Sequence, residues 1–302
     1  MTSTPPRPAP KLSLAQTAIL RAKQIDVRGT FLVVNALLLL LVFYTSLRFP
    51  HKYVRVKGEC ESNWLRLDAP VGENNIVCCG KNTKGWNPPC HAGMGLAHEL
   101  ATFKGAWVLP LTTLIFNYGM MMLGPNAVIQ RVRVCVRRGV LYFAVMSFRT
   151  VVLYLGFNRI EAQLVALFVG PTTCWYSDLR RNKRCAPAFD HSDHIVLLVS
   201  HYFAISLFEW FALTVEIPTA WSQSVKKTFL IGWITLLLGT VTYTLIFTAT
   251  FFHSPLENLF AVIISQVFIM TPLYLLTQDY FVKYDFLRLR HFVLPPEDVK
   301  AQ

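Results

Sequence analysis

Apolar residues run along this chain in long unbroken stretches rather than in alternation with polar ones. Thr30–Leu47, Gly105–Leu123, Gly139–Gly156, Ile195–Val215, Phe229–Phe252 and Leu259–Leu276 each approach the roughly 20 apolar residues that an α-helix needs to span a bilayer. A membrane β-barrel would show alternation instead. The pattern predicts an all-α polytopic membrane protein with six transmembrane helices. Leu164–Gly170 is too short to cross and is expected to lie at the interface or to re-enter. No internal repeat marks a solenoid.

An even number of crossings places both termini on one side. Residues 1–28 form a basic, largely disordered tail, with four prolines and with Arg7, Lys11, Arg21, Lys23 and Arg28 against Asp26. Residues 29–280 make the membrane domain, and 281–302 a second basic tail carrying Lys283, Arg288, Arg290 and Lys300. Arg131, Arg133, Arg137 and Arg138 precede the third span, and Lys226 and Lys227 outweigh Glu216 before the fifth. Positive charge in short loops marks the cytosolic side. Both tails are therefore expected in the cytosol, and loops 48–104 and 157–194 in the lumen.

Composition agrees with the membrane class: 53% of residues are hydrophobic and 15% charged, where a soluble domain carries about a quarter. The net charge of +12 sits in loops and tails beside apolar spans. It points to membrane orientation and anionic lipid or phosphate rather than nucleic acid. The first apolar run is too long and too late for a cleavable signal, so it is expected to remain as a span.

Cys60, Cys78, Cys79 and Cys90 fall in the first lumenal loop and Cys174 and Cys185 in the second, with Cys135 alone on the cytosolic side. Six cysteines in an oxidising compartment make disulfides the favoured chemistry, with connectivity open. Adjacent Cys78 and Cys79 fit no standard zinc spacing. Arg180, Arg181, Lys183 and Arg184 run against the positive-inside bias. They form either a solvated loop face or an anion-binding patch upstream of His194.

The fourth and fifth spans are joined only by Ile217–Lys227 and should form an antiparallel hairpin. His194 opens one helix and His253 closes the other, so two imidazoles return to one membrane face. A pair of this kind divides nucleophile or base from acid, as cleavage of a phosphorus–oxygen bond requires. Helix N-termini at that face favour an anion. Ser254-Pro255-Leu256-Glu257 reads as a capping box, which leaves Glu257 either to cap the helix or to orient His253.

Within the spans, Arg149, Glu209 and Asn117 are costly in lipid and should face a partner or a wet cavity. An Arg149–Glu209 pair is expected from their depths, with Arg149 near mid-membrane; Asn117 reads as helix–helix glue or a ligand. His191 and His194 with Asp190 and Asp193 permit chelation at i, i+3, but no third ligand accompanies them. No metal and no cofactor are expected. His51, His91, His98, His201 and His291 have no constellation around them.

The segment Phe189-Asp190-His191-Ser192-Asp193-His194 resembles the Phe-Asp-x-Ser-Gly-His element of the fat storage-inducing transmembrane (FIT) family, and Phe252-His253 resembles its second element. Asn117-Tyr118, Arg137-Arg138, Ile160-Glu161, Cys174 and Glu209 extend the likeness in order across spans two to six. The resemblance implies an endoplasmic reticulum membrane hydrolase with a lipid-phosphatase-like helical core and a lumenal site. The implied reaction splits the phosphoanhydride of fatty acyl-CoA into acyl 4′-phosphopantetheine and adenosine 3′,5′-bisphosphate. It implies His253 as nucleophile and His194 as acid. Asp190, Ser192, Asn117, Glu209, Glu257, Arg180, Arg181 and Arg184 would support catalysis or substrate binding. Fatty acyl-CoA and neutral lipids are the implied partners, and lipid-droplet formation and phospholipid balance the implied setting. Asp193 stands where the family has glycine, and the wider phosphatase family's first Lys/Arg motif is absent. Two other functions are expected to compete: a non-catalytic binder of neutral lipid, and a proton-coupled transporter using Arg149 and Glu209.

Overall fold

Each of the six apolar stretches becomes helical in the computed structural model. It describes residues 27–49, 51–56, 60, 62–67, 76–80, 88–122, 128–157, 159–160, 163, 167, 173–174, 186–187, 191–215 and 221–276. Helix α1 is Val27–Arg48, α2 Ala92–Ala101, α3 Phe103–Met122 and α4 Val128–Phe148. Helix α4 runs on in π-helical geometry over Arg149–Gly156. A continuous rod over 193–215 is built from α5 (Asp193–Leu197), a π-helical turn (Leu198–Phe203) and α6 (Ala204–Val215). Helix α7 is Trp221–Phe251. The last rod comprises α8 (Pro255–Ser265), a π-helical turn (Gln266–Met270) and α9 (Thr271–Leu276).

Among the described residues, five helices are long and apolar enough to cross a membrane: Gly29–Arg48, Cys135–Gly156, Asp193–Leu213, Val225–Phe251 and Pro255–Leu275. The stretch expected as a second span is helical over its 20 residues in α3. Lys104, Pro110, Thr112, Thr113 and Asn117 make it less apolar, and it is not among the five.

The rods are arranged around one of their number. Asp193–Leu213 is 94% buried, whereas the other four spans are 22–39% buried. Ile195, Leu198, Tyr202, Leu207, Phe208 and Phe211 fill the core, while Leu40, Ile115, Val151, Leu236 and Val267 point outward. An outward apolar face is what lipid requires, since no hydrophobic force drives helices together in a bilayer. Polar contacts add to the packing: the Asn35 and Gln266 amides exchange two hydrogen bonds, at 2.5 and 3.0 Å, between α1 and the last rod.

The described residues are mostly but not wholly helical, a correction to the all-α expectation. The loop after α1 forms a three-stranded antiparallel sheet, β1 (Tyr53–Val56), β2 (Ser62–Arg66) and β3 (Ile76–Cys79), with Trp64 opposite Arg55 and Val77. Disulfides Cys60–Cys78 and Cys79–Cys90 tie it, the second to the turn that leads into α2. The sheet sits on the end of α7: Trp64 stacks on Phe252 at 5.6 Å, and Lys52 Nζ donates to the Thr250 carbonyl at 2.6 Å. Helix α2 lies beside α7, where a Cβ on Gly93 would stand 2.8 Å from the Phe247 ring. A second pair of strands, β4 (Thr173–Cys174) and β5 (Ala186–Pro187), runs parallel.

Candidate functional site

The two histidines meet. His194 lies in the first turn of α5, and His253 in the short turn between α7 and α8. Their ring centroids are 5.7 Å apart, with the planes inclined by 73°. Phe252 packs against the His194 ring at 5.9 Å and carries Trp64 on its other side, so the sheet roofs the pair. His253 is buried and His194 half-buried.

Local chemistry holds each segment in place. Ser254 accepts from the Glu257 amide at 3.4 Å, and Glu257 Oε2 accepts from the Ser254 amide at 2.7 Å, completing the capping box. The same Oε2 lies 3.7 Å from His253 Nδ1. That separation exceeds a hydrogen bond, so Glu257 Oε2 serves the capping box rather than a hydrogen bond to His253 Nδ1. Asn258, not singled out in the sequence, donates to the Ala249 carbonyl at 2.8 Å and to that of His253 at 3.4 Å. It satisfies carbonyls left open where α7 stops. Its only signal in the sequence was its place directly after the capping box.

The main chain links the two halves. Ser192 N–H donates to the Glu257 carbonyl at 3.3 Å, and the Ser192 carbonyl starts α5 by accepting from Ile195 and Val196. Ser192 is fully buried and its hydroxyl makes no hydrogen bond. His191 is buried beside it, with its ring 6.4 Å from Phe157.

The ion pairs differ from the expected Arg149–Glu209 pairing. Arg149 bonds the Asp193 carboxylate beside His194 and lies 5.1 Å over the Tyr154 ring. Glu209 pairs instead with Arg138, whose Nε donates to Oε1 at 2.9 Å, and whose guanidinium also binds Oε2. Tyr118 donates to the same Oε1 at 3.5 Å and lies under the Arg138 guanidinium at 5.5 Å. Both members of this pair are buried.

Glu209 stands fifteen residues along the rod from His194, roughly 20 Å at the rise of a helix. The structure thus separates Glu209 from the histidine pair, and Asn117 with it: Asn117 directly precedes Tyr118, which reaches Glu209. Asn117 is fully buried, and neither atom of its amide has a hydrogen-bond partner. Asp190, Arg180, Arg181, Lys183, Arg184 and Cys185 lie outside the described residues, as does most of Leu164–Gly170; of Cys174 only its backbone in β4 is described. Among the described residues no three His, Cys, Asp or Glu side chains converge as metal ligands would. No family model, no curated protein and no solved structure matches the chain.

Proposed function

We propose that this protein is a six-span hydrolase of the endoplasmic reticulum membrane that splits the phosphoanhydride of fatty acyl-CoA at the His194–His253 pair. The observation that carries this is the approach of two imidazoles, from independent segments, to 5.7 Å between ring centroids. In the proposed step a His253 nitrogen attacks phosphorus while the anhydride P–O bond breaks. His194 gives its proton to the departing phosphate oxygen. Water then cleaves the N–P bond, with His194 accepting the proton. His253 Nδ1 faces Glu257, which leaves Nε2 as the attacking atom. The free Ser192 hydroxyl and the start of the central rod favour developing negative charge on the phosphoryl oxygens.

Asp193 beside a phosphate site would be repulsive if unpaired. Its contact with Arg149 balances that charge, which makes the site compatible with an anionic substrate. Helix α3 is the sixth crossing in this proposal, since its 20 residues reach about 30 Å. Both tails then lie in the cytosol and the sheet and histidines in the lumen, where the two disulfides persist. Acyl chains enter from the bilayer, and the products feed membrane lipid balance and lipid-droplet formation.

Purified protein incubated with oleoyl-CoA and read by mass spectrometry is expected to release adenosine 3′,5′-bisphosphate and oleoyl phosphopantetheine. His253→Ala should abolish release and His194→Ala should lower it at least 100-fold. Cleavage at the thioester, or unchanged turnover in both variants, would reject the chemistry.

A further inference from the structure

We infer that Trp64, in the disulfide-tied sheet, is a positioning residue for the histidine pair: acting through Phe252, it fixes the tilt of the His194 ring. The catalytic consequence rests on the proposed hydrolysis, whereas the ring contacts belong to the fold itself.

Three aromatic rings follow one another from the sheet to the site. Trp64 lies nearly parallel to Phe252, with centroids 5.6 Å apart and planes inclined by 20°. Phe252 meets the His194 ring steeply, at 5.9 Å and 66°. Contacts of this geometry are favourable beyond the area they bury. Trp64 is 2% exposed and Phe252 7%, so these two rings face each other rather than a ligand. Phe252 also directly precedes His253, and its N–H donates to the Thr248 carbonyl at 3.1 Å. Its side chain packs on one imidazole while its main chain leads into the other. A shift of Phe252 therefore disturbs both.

The sheet backs Phe252 from outside the helices. Side chains alternate across a strand, so Trp64 shares its face with its cross-strand partners Arg55 and Val77, and with Cys79 opposite Ser62. Cys79 is bonded to Cys90 at the turn into α2. Lys52, just before β1, donates to the Thr250 carbonyl of α7 at 2.6 Å and to the Ser46 carbonyl of α1 at 3.3 Å. The sheet is thus pinned to three helices, and Trp64 sits on its central strand. Val54, Val56 and Leu65 pack together on the opposite face.

Ring tilt matters because the Cβ–Cγ torsion of histidine has a broad well, which leaves the setting of the ring to its neighbours. Proton transfer to a departing oxygen requires the donor nitrogen within hydrogen-bond reach of it. A misplacement of about 1 Å costs on the order of 100-fold in rate. Phe252 forms a wall that narrows the tilt of His194, and Trp64 keeps that wall from receding.

The test uses the full chain in phospholipid nanodiscs and two readouts: turnover of oleoyl-CoA, and modification of His194 by diethyl pyrocarbonate read by mass spectrometry, which needs no turnover. Trp64→Leu is expected to lower kcat about tenfold or more, to leave KM within about twofold, and to speed His194 modification several-fold. Trp64→Phe keeps a stacking ring and should recover most of both effects. Leu65→Ala loosens the other face of the same sheet and should leave His194 modification unchanged, which separates the ring contacts from general stability. Should Trp64→Leu fail to fold, Phe252→Leu breaks the same series of rings at its middle member and is expected to show both effects. An unchanged kcat or an unchanged modification rate in the folded variant would overturn the inference. So would a Trp64→Phe chain as impaired as Trp64→Leu, or equal acceleration of modification in Leu65→Ala. A wild-type chain that does not cleave oleoyl-CoA would defeat the proposed hydrolysis instead, and the modification rates alone would then decide whether Trp64 holds His194.

Discussion

Arg149 and Asp193 form an ion pair between the π-helical end of α4 and the residue that precedes His194. The guanidinium also reaches the Asp193 backbone carbonyl at 3.4 Å. It therefore holds both the charge and the main chain of the first turn of the central rod. Arg149→Met would leave a largely buried carboxylate beside the histidines and is expected to cost about 3 kcal/mol of stability. Adding Asp193→Gly to it removes the stranded charge and should recover most of the loss. Unfolding of the two singles and the double in detergent gives the coupling directly; additive losses would show that the pair does not act as a unit.

Arg138 and Glu209 are the second such couple, near the opposite end of the rod. Arg138→Met and Glu209→Gln should each destabilise by roughly 3–5 kcal/mol, because each strands one buried charge or its donors. Arg138→Met with Glu209→Leu should come close to the parent, since two apolar side chains suit the surroundings. Thermal unfolding of all three variants checks this. If the double is as unstable as either single, the pair does more than neutralise itself.

Two glycines offer a contrast that sidesteps charge. A Cβ on Gly105 would stand 2.3 Å from the Glu99 carbonyl oxygen and 2.9 Å from Leu100 Cα, while one on Gly232 meets nothing within 4 Å. Backbone atoms cannot swing aside as a side chain can. Gly105→Ala should therefore force α2 and α3 apart and cost ~1–3 kcal/mol. Gly232→Ala, inside α7, should stabilise by up to about 1 kcal/mol through helix propensity. Melting temperatures of the two variants are expected to move in opposite directions.

The helices were legible because lipid demands long apolar runs, and those are visible without knowing any neighbour. The histidine hairpin was legible for a related reason: one short connection between two spans leaves few ways to fold. Ion-pair partners were not. Arg138 and Arg149 are eleven residues apart, close to three full turns, so both face the central rod. The register between helices then decides which acid each one meets. Placing the start of the third span at Gly139, rather than at Cys135 where the apolar helix begins, left Arg138 outside. The sheet escaped notice because its strands are four or five residues long and lie in a loop whose cysteines drew attention to cross-links instead.

The bond from Ser192 N–H to the Glu257 carbonyl joins the two imidazole-bearing segments without using any side chain. Nearly every amino acid can supply that amide and every one that carbonyl, so this link does not depend on the imidazoles themselves. Substitutions at His194 and His253 therefore leave this main-chain tie between the two segments in place.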